Sequence, residues 1–187
     1  ANTVREYLLP LDLTLKNADQ NVVSVANGAY RIVTDQPVAV YQFNPFDYDI
    51  AGTNSHTNDA SLVLPKHVLT GNYMVTAWPS FGSFAGFPGY FAVVGTEPNT
   101  TINVYYSGNV MNGPNRNLTT PVQYTLQPGE VLQVPSRTCG CSGLCHCGPD
   151  DDFTGTRIQS TDPNKPIGVF GGHNCIYIPA DQPACDH

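Results

Sequence analysis

The sequence predicts an all-β chain: an antiparallel β-sandwich with disulfide-stapled loops, or alternatively a propeller-like or barrel arrangement of repeated β units. Three observations predict it. Apolar residues alternate with polar ones or form short runs bounded by Gly, Pro and Asn. Almost no stretch repeats apolar residues at the i, i+3, i+4, i+7 spacing of a helix face. The 187 residues also include 17 Gly and 16 Pro, a turn-rich composition for which a helical protein has little use.

In chain order, the first strand expected is 8–15, where Leu9, Leu11, Leu13 and Leu15 alternate with Pro10, Asp12 and Thr14. Residues 21–25 and 29–33 follow as short runs rich in Val and Ile, residue types that suit a pleated, half-buried surface. Thr34-Asp35-Gln36-Pro37 turns the chain into 38–43, with Pro presetting φ. After the strand expected at 73–77, residues 90–96 and 101–106 flank the turn Thr96-Glu97-Pro98-Asn99, and 122–126 and 131–134 flank Gln127-Pro128-Gly129. Residues 157–160 and 167–170 close the series.

Composition excludes several function classes. With 8 Lys+Arg against 15 Asp+Glu the formal charge is -7, so phosphate backbones are repelled and no nucleic-acid partner is expected. A charged disordered tail is excluded by 41% hydrophobic and 10% aromatic residues, enough apolar surface to offset chain entropy. No stretch approaches the roughly 18 apolar residues of a membrane helix, so no membrane span is expected. Residues 1–9 have no basic head followed by an apolar run, yet a mature secreted chain whose signal has been removed has the same appearance.

The six cysteines indicate an oxidising compartment. Four lie in Cys139-Gly-Cys141-Ser-Gly-Leu-Cys145-His-Cys147, and two more at Cys175 and Cys185. The first group is symmetric about Gly143, so nested bridges Cys139 to Cys147 and Cys141 to Cys145 can staple a tight hairpin, although four cysteines allow three pairings. The rival is a thiolate metal site with His146 as a spare ligand, but structural zinc prefers C-x2-4-C spacing and oxidation removes thiolates. Cys175 and Cys185 enclose a Pro-containing stretch and are expected to close a bridged loop. The sequons Asn99-Thr100-Thr101 and Asn117-Leu118-Thr119 fall in turn-like segments and make Asn99 and Asn117 glycosylation candidates in a eukaryotic host.

One strand-turn-strand pattern occurs twice. Tyr30-Arg31-Ile32-Val33-Thr34-Asp35-Gln36-Pro37-Val38-Ala39-Val40-Tyr41 is echoed by Thr156-Arg157-Ile158-Gln159-Ser160-Thr161-Asp162 and then Pro166-Ile167-Gly168-Val169-Phe170. Residues 1–45 therefore read as the closing strands of a first β module. Residues 46–187 read as a second module with its Cys-rich loop at 139–147, in a chain expected to be a piece of something longer. One continuous domain is the other reading.

Several of these blocks, in their order, form a recognisable set: Tyr30 to Pro45, Asn58-Asp59-Ala60-Ser61-Leu62-Val63-Leu64-Pro65, Phe91-Ala92-Val93-Val94-Gly95-Thr96-Glu97, Gly129-Glu130-Val131-Leu132-Gln133-Val134, Thr154-Gly155-Thr156-Arg157-Ile158, and Gly172-His173-Asn174-Cys175 with Cys185-Asp186-His187. Together they resemble the IgGFc-binding protein N-terminal domain family. The resemblance implies a secreted, β-rich, non-catalytic binding or structural module, and Fc binding is not carried over by fold or name. The Cys139 to Cys147 cluster departs from the family pattern as an insertion.

For contact with a partner, the richest segment is 78–90, where Trp78, Phe81, Phe84, Phe87 and Tyr90 recur every third residue among small residues and Pro. A polyproline-like conformation aligns five such rings on one side, a stripe able to stack on sugars or fill a groove. The alternative is a lid folded over one end of the sheet. His173, Asp186 and His187, brought near one another by a Cys175–Cys185 bridge, form a conceivable two-His-one-carboxylate metal site, against a buried polar cluster. Asp150-Asp151-Asp152 reads as a solvated acidic turn, without the ligand spacing of a calcium loop. G-x-S-x-G, H-E-x-x-H, P-loop and G-x-G-x-x-G motifs are all missing, so no enzyme and no cofactor are expected.

The expected function is that of a secreted, extracellular, non-catalytic adhesive or recognition module of a large cell-surface or matrix glycoprotein, with protein or glycan surfaces as partners. The alternative is a structural subunit whose copies, or neighbouring modules, join through strand edges and the aromatic loop.

Overall fold

The computed structural model describes residues 3–10, 13–16, 20–44, 48–50, 53–55, 59–82, 86–141, 143 and 145–179. Its strands are β1 (Val23–Val25), β2 (Tyr41–Asn44), β3 (Tyr48–Ile50), β4 (Thr53–Ser55), β5 (Asp59–Leu62), β6 (Asn72–Met74), β7 (Phe81–Gly82), β8 (Gly89–Gly95), β9 (Thr100–Tyr106), β10 (Asn117–Leu126), β11 (Val131–Pro135), β12 (Cys145–His146), β13 (Arg157–Ser160) and β14 (Ile167–His173). Two open four-stranded sheets carry the fold, one ordered β1-β11-β8-β14 and the other β10-β9-β13-β6. Every strand pairing in them is antiparallel. The chain is therefore all-β, and no helix among the described residues is long and apolar enough to cross a membrane.

Period-2 alternation explains why these strands form. In β8 the buried positions are Gly89, Phe91, Val93 and Gly95, and in β9 they are Thr100, Ile102, Val104 and Tyr106, one face of each strand. Phe91, Val93, Leu132, Val134 and Ile167 from the first sheet meet Ile102, Val104, Tyr106, Leu126 and Ile158 from the second in one core. Phe153, from the segment that leads into β13, completes an aromatic trio: its ring centroid lies 5.1 Å from Phe91, edge-on, and 6.0 Å from Tyr106.

Turn chemistry sets the connections. Asn99, at φ 53°, reverses the chain between β8 and β9, a conformation Asn tolerates better than most residues. Between β10 and β11, Gly129 at φ 77° donates to the Gly95 carbonyl at 2.8 Å and locks the turn to the end of β8. Pro121, unable to donate to a ladder, sits where the register of β10 against β9 slips between Asn117 and Val122. It is tolerated because β10 is an edge strand.

The N-terminal third departs from the strands expected. None of the described residues of 8–15 lies in a strand, and 13–16 make one helical turn, α1 (Leu13–Lys16). Alternating leucines fit a strand, but here the segment meets β11 through a side chain, the Gln133 amide donating to the Leu15 carbonyl at 2.9 Å. All five β11 residues are buried. Residues 29–33 form no strand, and the edge of β11 is occupied by β1. The strand expected at 38–43 shortens to β2, paired with β5 in a separate two-stranded sheet, and the one at 73–77 shortens to β6. The hairpin of β3 with β4 carried no recognisable strand pattern.

Tyr106 donates to or accepts from the Tyr124 hydroxyl at 2.8 Å. Burial pushes the Tyr106 phenol well above its ordinary value, reinforced by that bond, and burial raises Tyr90 as well. The folded state thus keeps protons that the unfolded chain releases above about pH 10. Stability from these two groups is complete below that pH and is lost as pH rises above it. Denaturation midpoints measured across the alkaline range are expected to fall, and Tyr106→Phe is expected to flatten part of the fall.

Candidate recognition surface

At one end of the sandwich the aromatic segment and the Cys-rich loop pair directly. β7 and β12 form a two-stranded sheet in the register Cys145↔Gly82 and His146↔Phe81. The loop holding β12 is closed by Cys139–Cys147, with Cα atoms 5.5 Å apart, and by Cys141–Cys145, at 6.6 Å. The two bridges pack together, with Cys139 Sγ 3.8 Å from Cys145 Sγ. They also rest on β7: a Cβ on Gly82 would lie 2.8 Å from Cys145 Sγ and 2.9 Å from Cys141 Sγ. Only glycine lets the double staple approach so closely.

The described rings of the aromatic segment do not form one exposed stripe. Phe81 and Phe87 exchange backbone hydrogen bonds of 2.8 Å in both directions, which folds the segment back on itself and stacks the two rings at 6.4 Å. Gly86, at φ 67°, permits the reversal. Phe81 is fully buried, a packing residue with no surface to offer a partner. Phe87 and Tyr90 are half-buried, and Phe84 lies outside the described residues. Trp78 is 45% exposed.

Two residues that the threefold spacing does not mark complete this end. His146 lies 6.1 Å from Trp78, edge to face, and 5.6 Å from Phe81, while Tyr177 lies 5.0 Å from Phe81. A 2.9 Å hydrogen bond between His146 Nε2 and the Tyr177 carbonyl ties the Cys-rich loop to the C-terminal segment. Spacing cannot reveal such a cluster, because its members come from three separate parts of the chain. The Cys-His-Cys position of His146 is the sole local signal.

The other candidates are placed as follows. His173 is buried; its Nδ1 accepts from the Cys175 N–H at 3.2 Å and its Nε2 lies 3.3 Å from the Pro79 carbonyl, so both ring nitrogens are engaged. Asp186 and His187 lie outside the described residues, among which no group of three or more His, Cys, Asp or Glu could hold a metal ion. Cys175 is disulfide-bonded, and its expected partner Cys185 also lies outside the described residues. The acidic run is held by its own neighbours: Asp151 is buried and accepts from Arg137 Nε at 3.0 Å and Asn109 Nδ2 at 3.3 Å, and Asp150 pairs with Arg116.

Both sequon asparagines are exposed. Asn99 Oδ1 accepts from Gln127 Nε2 at 2.9 Å, and Asn117 Oδ1 accepts from Thr119 N–H, Thr119 Oγ1 and Thr120 N–H at 2.9 Å each. In each, the side-chain oxygen takes these bonds and the side-chain nitrogen stands outside them.

Of the sequence families, the one described as IgGFc binding protein matches residues 59–187. The match takes in both main sheets except β1, together with the aromatic segment and the disulfide loop, and it begins after the first copy of the repeated strand pattern. No curated protein and no solved structure matches the chain. With most of its length covered, including nearly the whole sandwich, this chain belongs to the IgGFc binding protein family.

Proposed function

We propose that the chain is a secreted, non-catalytic recognition module of an extracellular or cell-surface glycoprotein, and that it meets protein or glycan surfaces through the aromatic end around Trp78. One observation carries this reading: a partly exposed tryptophan is set edge-on against His146, and His146 sits in a loop held by two disulfides. A ring fixed in this way loses little freedom on contact, so more of its burial is available as affinity. Tryptophan is also the residue type most enriched at the energetic centres of interfaces. Family membership supports a binding role, and the disulfides support an oxidising exterior.

The test is binding of the chain to immobilised IgG Fc and to an immobilised panel of mucin-type glycans. Trp78→Ala is expected to weaken binding to whichever probe is retained by about tenfold or more, as for a central aromatic anchor. Retention of no probe, or equal retention of Trp78→Ala, contradicts the reading.

A second reading, assembly of copies through strand edges, draws on β14. It is the last strand of its sheet and presents Phe170 at 59% exposure. Sedimentation over a range of concentrations separates the two, since a recognition module sediments as a monomer throughout.

A further inference from the structure

The two copies of the strand-turn-strand pattern meet opposite environments. In the second copy Ile158 lies in β13, paired with both β9 and β6, and Ile167 lies in β14, paired with β8; both side chains are fully buried. In the first copy the matching Ile32 is 62% exposed and Val38 is 59% exposed. Among the described residues, no backbone hydrogen bond joins residues 30–39 to another strand. A strand pair with an apolar face has no independent stability in water. The same residue pattern is thus fully used in one place, while in the other only its last two residues, Val40 and Tyr41, are paired, with Val63 and Leu62.

We propose that residues 30–41 are the closing strands of a second β-sandwich of this family, one without its own counterparts of β13 and β14. Residues 30–33 fill the slot between its β9-type and β6-type strands, and residues 38–41 pair with its β8-type strand. The second copy identifies the occupant, because it displays what covers these side chains when the slot is present. The linkage is short: β1 belongs to the sandwich described above, and the turn that leads from it to Tyr30 is fixed by Gly28 N–H donating to the Val25 carbonyl and Ala29 N–H donating to the Gly129 carbonyl. The match ends at Tyr41. A Cβ on Gly171 would lie 2.4 Å from the Thr76 carbonyl and one on Gly172 2.6 Å from the Tyr90 ring, whereas the aligned Gln42 and Phe43 carry side chains, so the accepting sandwich is more open at that end.

The test uses the full chain, alone and extended by an added copy of residues 59–155 ahead of Ala1, with Gln42→Gly and Phe43→Gly so that the strand fits that copy. In the extended protein, hydrogen exchange is expected to be slow in the added β8-type and β9-type strands, and Ile32→Asp is expected to abolish that protection. In the unextended chain Ile32→Asp is expected to leave the unfolding midpoint unshifted, while Ile158→Asp lowers it sharply. Three results overturn the proposal. The added segment could exchange like an unfolded chain. Ile32→Asp could lower the unextended chain's midpoint as much as Ile158→Asp, which places the segment within its own fold. The unextended chain could sediment as a dimer that Ile32→Asp separates, which makes the occupant a second copy.

Discussion

Phe91→Ala is expected to destabilise the sandwich by about 3–5 kcal/mol, the usual cost of emptying a large aromatic site in a close-packed core. Phe91 is fully buried at the centre of β8, the strand that pairs with both β11 and β14. Its ring contacts Tyr106 at 6.2 Å and Phe153 at 5.1 Å, so alanine leaves a void bordered by both sheets. Relaxation into that void is limited, since Tyr106 is held by Tyr124 and Phe153 lies in a tight segment whose carbonyl accepts from Thr156 N–H. Chemical denaturation of the variant measures the loss directly. A change below about 1 kcal/mol, the scale of a tolerated surface substitution, contradicts this description of the core.

The second large effect concerns the double staple. Replacing Cys139 and Cys147 by serine removes the outer bridge, which spans a sequence separation of 8. Loop-closure entropy of a ring this size amounts to about 2–3 kcal/mol. The consequence is expected to be local rather than global. Among the described residues β12 pairs only with β7, and none of those in the loop belongs to the core cluster that joins the two main sheets. The variant is therefore expected to keep its β-sheet circular dichroism while losing the β7–β12 pairing, with His146 released from Trp78 and Phe81. Slow exchange of the position-147 amide, which donates to the Ser80 carbonyl at 2.7 Å in the native chain, is expected to be lost in the variant and reports that release.

How far the sequence discloses this arrangement depends on how local each signal is. β8, β9, β11, β13 and β14 are legible because alternation and turn residues lie within a few positions of one another, and because both faces of each strand find the neighbours that alternation presupposes. Residues 8–15 alternate just as cleanly, yet alternation does not say whether a strand edge is free to receive them, and here the Leu15 carbonyl meets β11 through the Gln133 side chain instead. The threefold aromatic spacing fails for a related reason. It describes an extended segment, while Gly86 and the reciprocal Phe81–Phe87 hydrogen bonds fold the segment back. The pairing of Phe81 with His146, and the contact of Tyr177 with Phe81, are long-range contacts that no local pattern encodes.

Trp78 is the chain's one tryptophan, so its emission reports on the aromatic end without interference. Iodide quenching of that emission, in the oxidised chain and after reduction of its disulfides, tests most directly whether oxidised sulfur holds a preformed contact surface. Reduction is expected to raise the quenching constant toward that of a free tryptophan derivative while the β-sheet signal persists. An unchanged quenching constant in the fully reduced chain would contradict it.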